Sequence, residues 1–345
     1  MKPAFFNGLR KGGLLMKWKV ALTIEARGDY EMFRLQELVR EKGFEPVFLG
    51  PLAGKARAAR LMDCDAVIAG GDIYDAPLLE TLRNQGRMKI IARFGVGYDQ
   101  VDLEAASRFG IAVTNTAGTM AGPVAEMTAA LLLSAARCVP FYDRMLRGRR
   151  WDVGPVGTSV HGKTVGLVGF GSIARGFMAC MAGFGCRFLA FDPAVPPEEV
   201  RRLGAEPTPL EELAARSDFV SLHVPRTPET EGLWDQQMLR RMKPAAILIN
   251  TSRGGIVREA DLIEALRDGT IAGAGLDVFE QEPLPPDSPL LHLPNVVMTA
   301  HAAGWDDQTE LVTGGRALEN ILDIAGGRVP RDILNADYAQ APGQR

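Results

Sequence analysis

Short apolar runs that alternate with helical patterns constrain the fold of this chain most. In the first third, the runs at 18–25, 64–70 and 89–95 are separated by segments of helical periodicity such as 30–43 and 77–86. Strands that alternate with helices form parallel sheets covered by helices on both faces. The first third is therefore predicted to be an α/β domain.

A long helical stretch over 121–147 ends this first series, and the alternation then restarts. The predicted strands of the second series lie at 163–171, 186–192, 218–224, 246–250, 273–279 and 295–300. A last amphipathic helix at 307–327 follows the completed second sheet, so we expect it to pack back on the first domain. The sequence predicts two parallel α/β domains with a seam near residues 117–121.

Length and charge narrow the class of protein. A chain of 345 residues with 46% apolar residues can bury two cores. Its formal net charge of -3 argues against nucleic acid or an anionic membrane as the main partner. Four cysteines without a Cys-x-x-Cys pair fit a reducing cytoplasm, and no metal site is predicted.

Neither the start of the chain nor its most apolar run is predicted to be a targeting or membrane segment. Residues 1–20 lack a continuous apolar core and a small-residue cleavage site, and Met16 is an alternative start. The apolar run at 124–139 carries Glu126 and Arg137, which favours a buried helix over a membrane span.

A glycine-rich turn follows the first strand of the second series. In GFGSIA, Gly169, Gly171 and Ala174 occupy the positions of the G-x-G-x-x-[GA] pattern. The first glycine permits a tight turn, the second lets a pyrophosphate approach the backbone, and the small third residue allows close packing of helix on strand. The phosphate is predicted to lie on the amides of Ser172 and Ile173 at the helix start.

The next predicted strand ends in Asp192. A carboxylate about 20 residues beyond the glycines accepts hydrogen bonds from the adenosine ribose, and it repels the 2′-phosphate of NADP. Taken alone, Asp192 before Pro193 is equally consistent with a turn residue. With the glycines, it predicts dinucleotide binding with a preference for NAD; Arg226 could neutralise a 2′-phosphate and make the protein tolerant of both cofactors.

Polar side chains collect where the later strands end. The strand at 246–250 runs into Arg253 and two glycines, Asp277 and Glu282 follow the next strand, and His301 follows the last. The carboxyl ends of parallel strands meet at one edge, where ligands of such sheets bind. An isolated arginine here is more often an exposed loop residue, but its company favours a substrate site. In the first domain, Gly95 and Gly97 leave a loop of backbone amides suited to a carboxylate.

These motifs together resemble those of the D-isomer-specific 2-hydroxyacid dehydrogenases, the family of phosphoglycerate dehydrogenase, glyoxylate and hydroxypyruvate reductases and D-lactate dehydrogenase. GVGYDQVD, GFGSIA, NTSRGGIV, LDVFEQEPLP and TAHAAG occur in the family's order between about residues 18 and 330. The resemblance implies two doubly wound parallel-sheet domains. A Rossmann NAD-binding domain at 120–303 is inserted into a flavodoxin-like substrate domain made of 1–119 and 304–345.

The resemblance also implies a role for each site residue. Arg253 grips the substrate carboxylate and keto oxygen, His301 is the acid/base, and Glu282 hydrogen-bonds its imidazole. Val96 and Gly97 offer amides to the carboxylate. The implied contacts of NAD are Gly169, Gly171, Ser172, Ile173, Asp192, Val224, Thr251, Ser252, Arg253, Asp277, His301 and Gly304. The region of helix 121–138 is the family's dimerisation element, which implies a homodimer.

Elementary chemistry agrees with these roles. Hydride transfer to a 2-oxo acid builds negative charge on the carbonyl oxygen, so a fixed cation and a proton donor favour the transition state. The planar fork of Arg253 spans two oxygens better than a lysine does, and we expect the glycines after it to keep other side chains out of its way.

Three questions stay open at the level of sequence. The residues after Trp151 are less basic than a phosphate-binding segment, which favours glyoxylate, hydroxypyruvate or another small 2-oxo acid as substrate. Trp305 either narrows the pocket or packs at the hinge. A second class of function is an NAD(H)-binding corepressor or sensor of the same fold without significant turnover, since a fold does not fix a function.

Overall fold

The structure is a computed structural model that describes residues 18–24, 29–49 and 54–340. Met16 and the predicted alternative start lie outside the described residues. The chain divides into two compact units, one made of residues 1–117 and 310–345 and the other of residues 118–309. The sequence-based boundaries fell after residues 119 and 303.

The first unit is built on a five-stranded parallel sheet of order β2-β1-β3-β4-β5. Its strands and helices are β1 (Lys19–Leu22), α1 (Asp29–Glu41), β2 (Glu45–Phe48), α2 (Gly54–Leu61), β3 (Ala66–Ala69), α3 (Ala76–Asn84), β4 (Ile90–Arg93), α4 (Leu103–Arg108) and β5 (Ala112–Thr114). All residues of β3, β4 and β5 are buried. For the central strands β3 and β4, helices on both faces leave no side to water, and the edge strand β5 is bridged to the segment after the last helix through Thr114 and Ile333. This strand order is the flavodoxin-like one.

The second unit contains a seven-stranded parallel sheet of order β12-β11-β10-β9-β6-β7-β8. Its elements are α5 (Ala121–Ala136), α6 (Val139–Arg147), β6 (Thr164–Val168), α7 (Ser172–Cys180), β7 (Arg187–Phe191), α8 (Pro197–Arg202), β8 (Glu206–Pro207), α9 (Leu210–Arg216), β9 (Phe219–Leu222), α10 (Gln236–Arg241), β10 (Ile247–Asn250), α11 (Glu259–Asp268), β11 (Gly273–Leu276) and β12 (Val296–Met298). The order reverses between β6 and β9, as in the Rossmann fold, and ligands bind at that switch point.

The long helical stretch predicted over 121–147 is two helices. Cys138 adopts a left-handed conformation with φ 53° between them, and the two helices are bent by 67°. Helix α5 buries seven side chains, among them Leu131 and Leu132, whereas α6 buries none. In the described part of the chain no single helix is long and apolar enough to cross a membrane; the bent pair α5–α6 meets the length and composition criteria only when taken together.

The C-terminal helix α12 (Thr309–Ala325) extends into the first unit. The carboxylate of Glu310 accepts a hydrogen bond from the Leu35 amide of α1 at 2.9 Å, and Asn320 Nδ2 donates to the Asn115 carbonyl at 3.1 Å. After α12, the side chain of Asn335 bonds backbone groups of Ile111 and Val113 beside β5. The expected packing of this helix on the first domain is therefore observed.

Candidate active site

The glycine-rich turn lies at the switch point of the second sheet. Gly169 has φ 90°, and a Cβ atom on it would lie 2.6 Å from the carbonyl oxygen of His223, which follows β9. Glycine is therefore required both by backbone conformation and by the approach of the neighbouring strand. Val224 packs beside the same turn, with Cγ1 at 3.0 Å from that Cβ position.

The start of α7 is arranged as an anion site. Gly171 is its N-cap residue and offers no side-chain acceptor to the first turn. A Cβ atom on Gly171 would meet nothing within 4 Å, so space is open above the turn. Backbone N–H groups at a helix N-terminus favour a phosphate. The turn therefore fits the pyrophosphate of a dinucleotide, with Ser172 and Ile173 in the first turn as predicted.

Asp192 follows β7 and is bonded to the same turn. Its Oδ2 accepts from the Phe170 amide at 2.8 Å, and its Oδ1 accepts from the Ala194 amide at 2.9 Å. Each carboxylate oxygen has a second lone pair for a ribose hydroxyl. Arg226, the residue that could have neutralised a 2′-phosphate, forms an ion pair with Glu231 at 2.6 Å.

Arg253 lies on a tight turn that follows β10. The side chain of Asn250 closes this turn: Oδ1 accepts from the Ser252 amide at 3.0 Å and from its hydroxyl at 2.7 Å, and Nδ2 donates to the Arg253 carbonyl at 2.9 Å. The guanidinium donates from Nη1 to the Ser252 carbonyl at 2.7 Å. The hydroxyls of Thr251 and of Thr128 in α5 are 2.8 Å apart, which ties the turn to that helix.

Gly254, the first glycine after the arginine, is required by a contact that was not expected from the sequence. A Cβ atom on Gly254 would lie 1.9 Å from the carbonyl carbon and oxygen of Phe279. The arginine turn thus packs directly on the main chain that leads to Glu282, and only glycine permits this approach. A Cβ atom on Gly255 would instead lie 3.0 Å from Nε of Arg226, at the end of a flexible side chain.

Glu282 and His301 form a hydrogen-bonded pair. Glu282 Oε2 and His301 Nδ1 are 2.6 Å apart, and Glu282 Oε1 accepts from the Phe279 amide at 3.0 Å. Burial raises the pKa of Glu282, but the hydrogen bond from His301, the Phe279 amide and the charge of Arg253 outweigh burial and hold this pKa below its ordinary value. Glu282 is therefore ionised at neutral pH, and both the arginine and the histidine act on it electrostatically.

Asp277 holds the turn that carries His301 through several hydrogen bonds. His301 has φ 48°, and its amide donates to the Asp277 carbonyl at 2.8 Å. The carboxylate of Asp277, only 1% exposed, accepts from the Thr299 hydroxyl at 2.5 Å and from the Ala302 and Ala303 amides at 2.8 and 2.9 Å. A left-handed conformation is unfavourable for a non-glycine residue, so these bonds stabilise the orientation of the histidine.

The rest of the C-terminal motif is packed closely. A Cβ atom on Gly304 would lie 2.9 Å from the sulfur of Met120, and the Trp305 amide donates to the Ala302 carbonyl at 3.0 Å.

Of the other histidines, His223 is packed against Phe177, and burial lowers its pKa to about 3. It is therefore neutral, in agreement with the structural role expected for it.

In the first unit, the loop 95–97 has all three carbonyl groups occupied. The Gly95 carbonyl accepts from the Thr116 amide at 3.0 Å, the Val96 carbonyl from Asn115 Nδ2 at 3.0 Å, and the Gly97 carbonyl from Arg93 Nε at 3.1 Å. Among the described residues, no acceptor is bonded to the amides of Val96 and Gly97. This arrangement leaves two adjacent N–H groups for an anion.

The second unit thus brings Arg253, Glu282 and His301 together at the carboxyl edge of its sheet. The sequence did not point to Asn250, although an asparagine two residues before a serine at a strand end is typical of an Asx turn. Thr128 and Thr299 carried no signal, because each meets its partner only through the tertiary fold.

Comparison with known proteins gives the family of this chain. Residues 129–303 match the family described as D-isomer specific 2-hydroxyacid dehydrogenase, NAD binding domain. A glyoxylate reductase of Korarchaeum cryptofilum is 42% identical over 84% of this chain and 88% of its own. A D-3-phosphoglycerate dehydrogenase of Mycobacterium leprae is 42% identical over 75% of this chain, but this chain spans only 49% of that protein.

A solved structure shows the same fold. The NADPH-dependent glyoxylate/hydroxypyruvate reductase of Sinorhizobium meliloti is 30% identical, with a TM-score of 0.80 over 95% of this chain and 100% of that one. The similarity thus extends well beyond the glycine-rich turn and the polar residues at the strand ends: 42% of residues are identical over 84% of the chain. This chain belongs to the D-isomer-specific 2-hydroxyacid dehydrogenase family.

Proposed function

We propose that this protein reduces a small, unphosphorylated 2-oxo acid to its D-2-hydroxy acid with NADH, using Arg253, Glu282 and His301. The observation that carries the proposal is the Glu282–His301 pair at 2.6 Å, beside the arginine whose charge helps to hold Glu282 ionised. A cation, a proton donor and a carboxylate that orients the donor are the groups that carbonyl reduction requires.

The proton moves through His301. Bound NADH supplies the hydride to the carbonyl carbon. Because Nδ1 of His301 is engaged by Glu282, Nε2 is the ring nitrogen that donates the proton to the carbonyl oxygen. The ionised Glu282 fixes the orientation of the ring through this hydrogen bond. In the reverse direction the neutral ring accepts the proton from the hydroxyl group.

Arg253 binds the substrate and the developing charge. Its guanidinium presents a fork of donors that can span a carboxylate oxygen and the keto oxygen. The keto oxygen gains negative charge as the hydride arrives, so its bond to the arginine strengthens in the transition state. The amides of Val96 and Gly97 are proposed as further ligands of the carboxylate; the occupied carbonyl groups of that loop support this role.

The cofactor is held by the second unit. NAD binding is a property of the matched domain, and we infer a preference for NAD over NADP from Asp192, whose carboxylate is bonded at the glycine-rich turn. Gly169, Gly171, Ser172 and Ile173 are proposed to hold the pyrophosphate. The remaining proposed contacts are Val224, Thr251, Ser252, Arg253, Asp277, His301 and Gly304. For Asp277, the bonds to residues 299–303 support a contribution made through the His301 turn.

Glyoxylate and hydroxypyruvate are the proposed substrates. A relative of which this chain covers 88% is a glyoxylate reductase, and the segment after Trp151 carries few basic residues for a phosphate group. The test is a panel of 2-oxo acids, phosphorylated and not, assayed by NADH and NADPH absorbance. Reduction of none of them would refute the proposal and favour an NAD(H)-binding corepressor or sensor.

We also propose a homodimer in the cytoplasm. The interface is proposed in the region of helix 121–138, and exposed apolar side chains of α6 and of the segment after it lie next to that region in the sequence. Val139 and Leu146 are half exposed, and Trp151, Val153 and Val156 are 89%, 101% and 96% exposed. Exposed apolar groups of this extent favour association. Light scattering should give twice the chain mass, and Val153→Glu should reduce it; a monomeric wild type would contradict the dimer.

A further inference from the structure

We propose that Asn250 is a positioning residue for Arg253: its side-chain amide fixes the turn that aims the guanidinium at the substrate. The inference rests on the proposed role of Arg253. It goes beyond that role because Asn250 itself is assigned no contact with substrate or cofactor. Asn250 is the last residue of β10 and is 1% exposed.

The hydrogen bonds of Asn250 enclose the arginine turn from two directions. Its carbonyl oxygen accepts both the amide and the hydroxyl of Ser252, and its NH₂ group donates to the Arg253 carbonyl. The Ser252 carbonyl in turn accepts Nη1 of Arg253 at 2.7 Å. Asn250 therefore fixes the main chain on both sides of the Arg253 Cα atom and also the carbonyl group on which the guanidinium rests.

The neighbouring strand anchors Asn250. The Asn250 carbonyl accepts from the Asp277 amide at 2.9 Å, and Asp277 holds the turn of His301. The backbone of Asn250 thus bonds Asp277, which holds the His301 turn, while the side chain of Asn250 bonds the turn of Arg253. A change of the Asn250 side chain should disturb the arginine and leave the backbone link to Asp277 intact.

Asparagine has properties here that no similar side chain reproduces. It offers an acceptor and a donor on one planar group, and both are used within the turn. Aspartate has the same shape but only accepts hydrogen bonds when it is ionised. In Asn250→Asp, a carboxylate oxygen would therefore replace the Nδ2 group that now donates to the Arg253 carbonyl oxygen at 2.9 Å, and two acceptors would face each other. The turn must then open, and a misplacement of about 1 Å lowers a rate by on the order of 100-fold.

The test compares Asn250→Asp with Asn295→Asp. Asn295 directly precedes β12 and so lies at the amino ends of the strands of the same sheet, away from the carboxyl ends where Asn250 lies. Its Nδ2 also donates to two backbone carbonyls, those of Leu266 and Ala272. We expect Asn250→Asp to lower kcat/KM for glyoxylate by about 10- to 100-fold and to weaken inhibition by oxamate, which carries the same carboxylate and carbonyl groups. Because Ser252 and Arg253 are also proposed NAD contacts, the Kd of NADH should rise, but by a smaller factor than kcat/KM falls. Asn295→Asp should change none of these three quantities.

A double-mutant cycle with Arg253→Ala separates positioning from a general structural effect. If Asn250 acts through the arginine, Asn250→Asp should change oxamate binding and residual kcat/KM by less than about threefold once Arg253 is alanine, because interacting residues are not additive. An equal loss in both backgrounds would overturn the proposal, and so would an equal loss in Asn295→Asp. If Asn250→Asp does not bind NADH or melts early, Asn250→Ser, which buries no charge, replaces it in the same cycle.

Failure of the underlying function gives a different result. Near-wild-type turnover of Arg253→Ala alone would refute the role of Arg253 itself. A large loss in Arg253→Ala together with wild-type kcat/KM in Asn250→Asp would leave that role intact and refute only the positioning by Asn250.

Discussion

Gly254 offers the sharpest test of how the arginine turn and the glutamate loop are held together. In Gly254→Ala, the added Cβ would lie 1.9 Å from the carbonyl carbon and oxygen of Phe279, whereas ordinary contact begins at 3.4 Å. The two main-chain segments must therefore separate by about 1.5 Å, the difference of these distances. Neither segment can yield by a simple side-chain rotation, because both contacts are to backbone atoms.

This separation should affect stability and catalysis together. Overpacking of this kind typically lowers the free energy of unfolding by about 1–3 kcal/mol, and occasionally by more. It also displaces Arg253 relative to Glu282, and a misplacement of about 1 Å is expected to lower kcat/KM by on the order of 100-fold, which is about 2.7 kcal/mol of transition-state stabilisation.

Gly255→Ala is the matched control. Its Cβ would lie 3.0 Å from Nε of Arg226, an exposed side chain that can move away. We expect its free energy of unfolding to stay within about 1 kcal/mol of the wild type and its kcat/KM to be unchanged. Urea denaturation and NADH-linked assays with glyoxylate measure both quantities. Gly254→Ala with wild-type stability and activity would show that the two segments are not in the contact described here.

Three further predictions concern the proposed site. Arg253→Lys keeps the charge and loses the fork, so kcat/KM for the oxo acid should fall by an amount equivalent to about 2–5 kcal/mol while the Kd of NADH is retained; near-wild-type turnover would make Arg253 an ordinary loop residue. Glu282→Gln removes a carboxylate that is ionised at neutral pH because its pKa lies below its ordinary value, and that bonds Nδ1 of His301 at 2.6 Å. Without the orienting charge, reductive kcat/KM at neutral pH should fall by on the order of 100-fold, and wild-type kcat/KM in this variant would contradict the pairing. Asp192→Ala should weaken NADH and narrow the gap to NADPH in titrations of both cofactors, and an unchanged ratio would exclude the ribose contact.

Several features of the fold and of the site could be predicted from the sequence because they depend on local patterns. The alternation of strands and helices predicted two parallel-sheet domains, and both sheets are observed. Arg253, Glu282 and His301 were predicted to meet because each follows a strand of the same parallel sheet, whose carboxyl ends lie at one edge. The family assignment, based on the order of these motifs, is confirmed. The catalytic roles of these residues stay predictions.

Helix boundaries were less predictable. The stretch 121–147 has continuous helical composition, but the left-handed Cys138 divides it into two helices. The short helices α2, α8, α9 and α10 and the two-residue strand β8 were not predicted as separate elements, because segments of two to eight residues carry little periodicity. In such segments, packing on the finished sheet decides the conformation.

By itself, the sequence determined which residues stand at the ends of strands, and this was enough to predict a cofactor turn and the candidate catalytic groups. Only the tertiary structure decided why their neighbours are what they are. Gly254 must be glycine because Phe279, 25 residues later in the sequence, approaches its backbone, and Asn250 matters because its amide is buried within a turn that also contacts the strand of Asp277. Such requirements arise from distances between main-chain segments that are remote in sequence, and no local pattern of residue types specifies those distances.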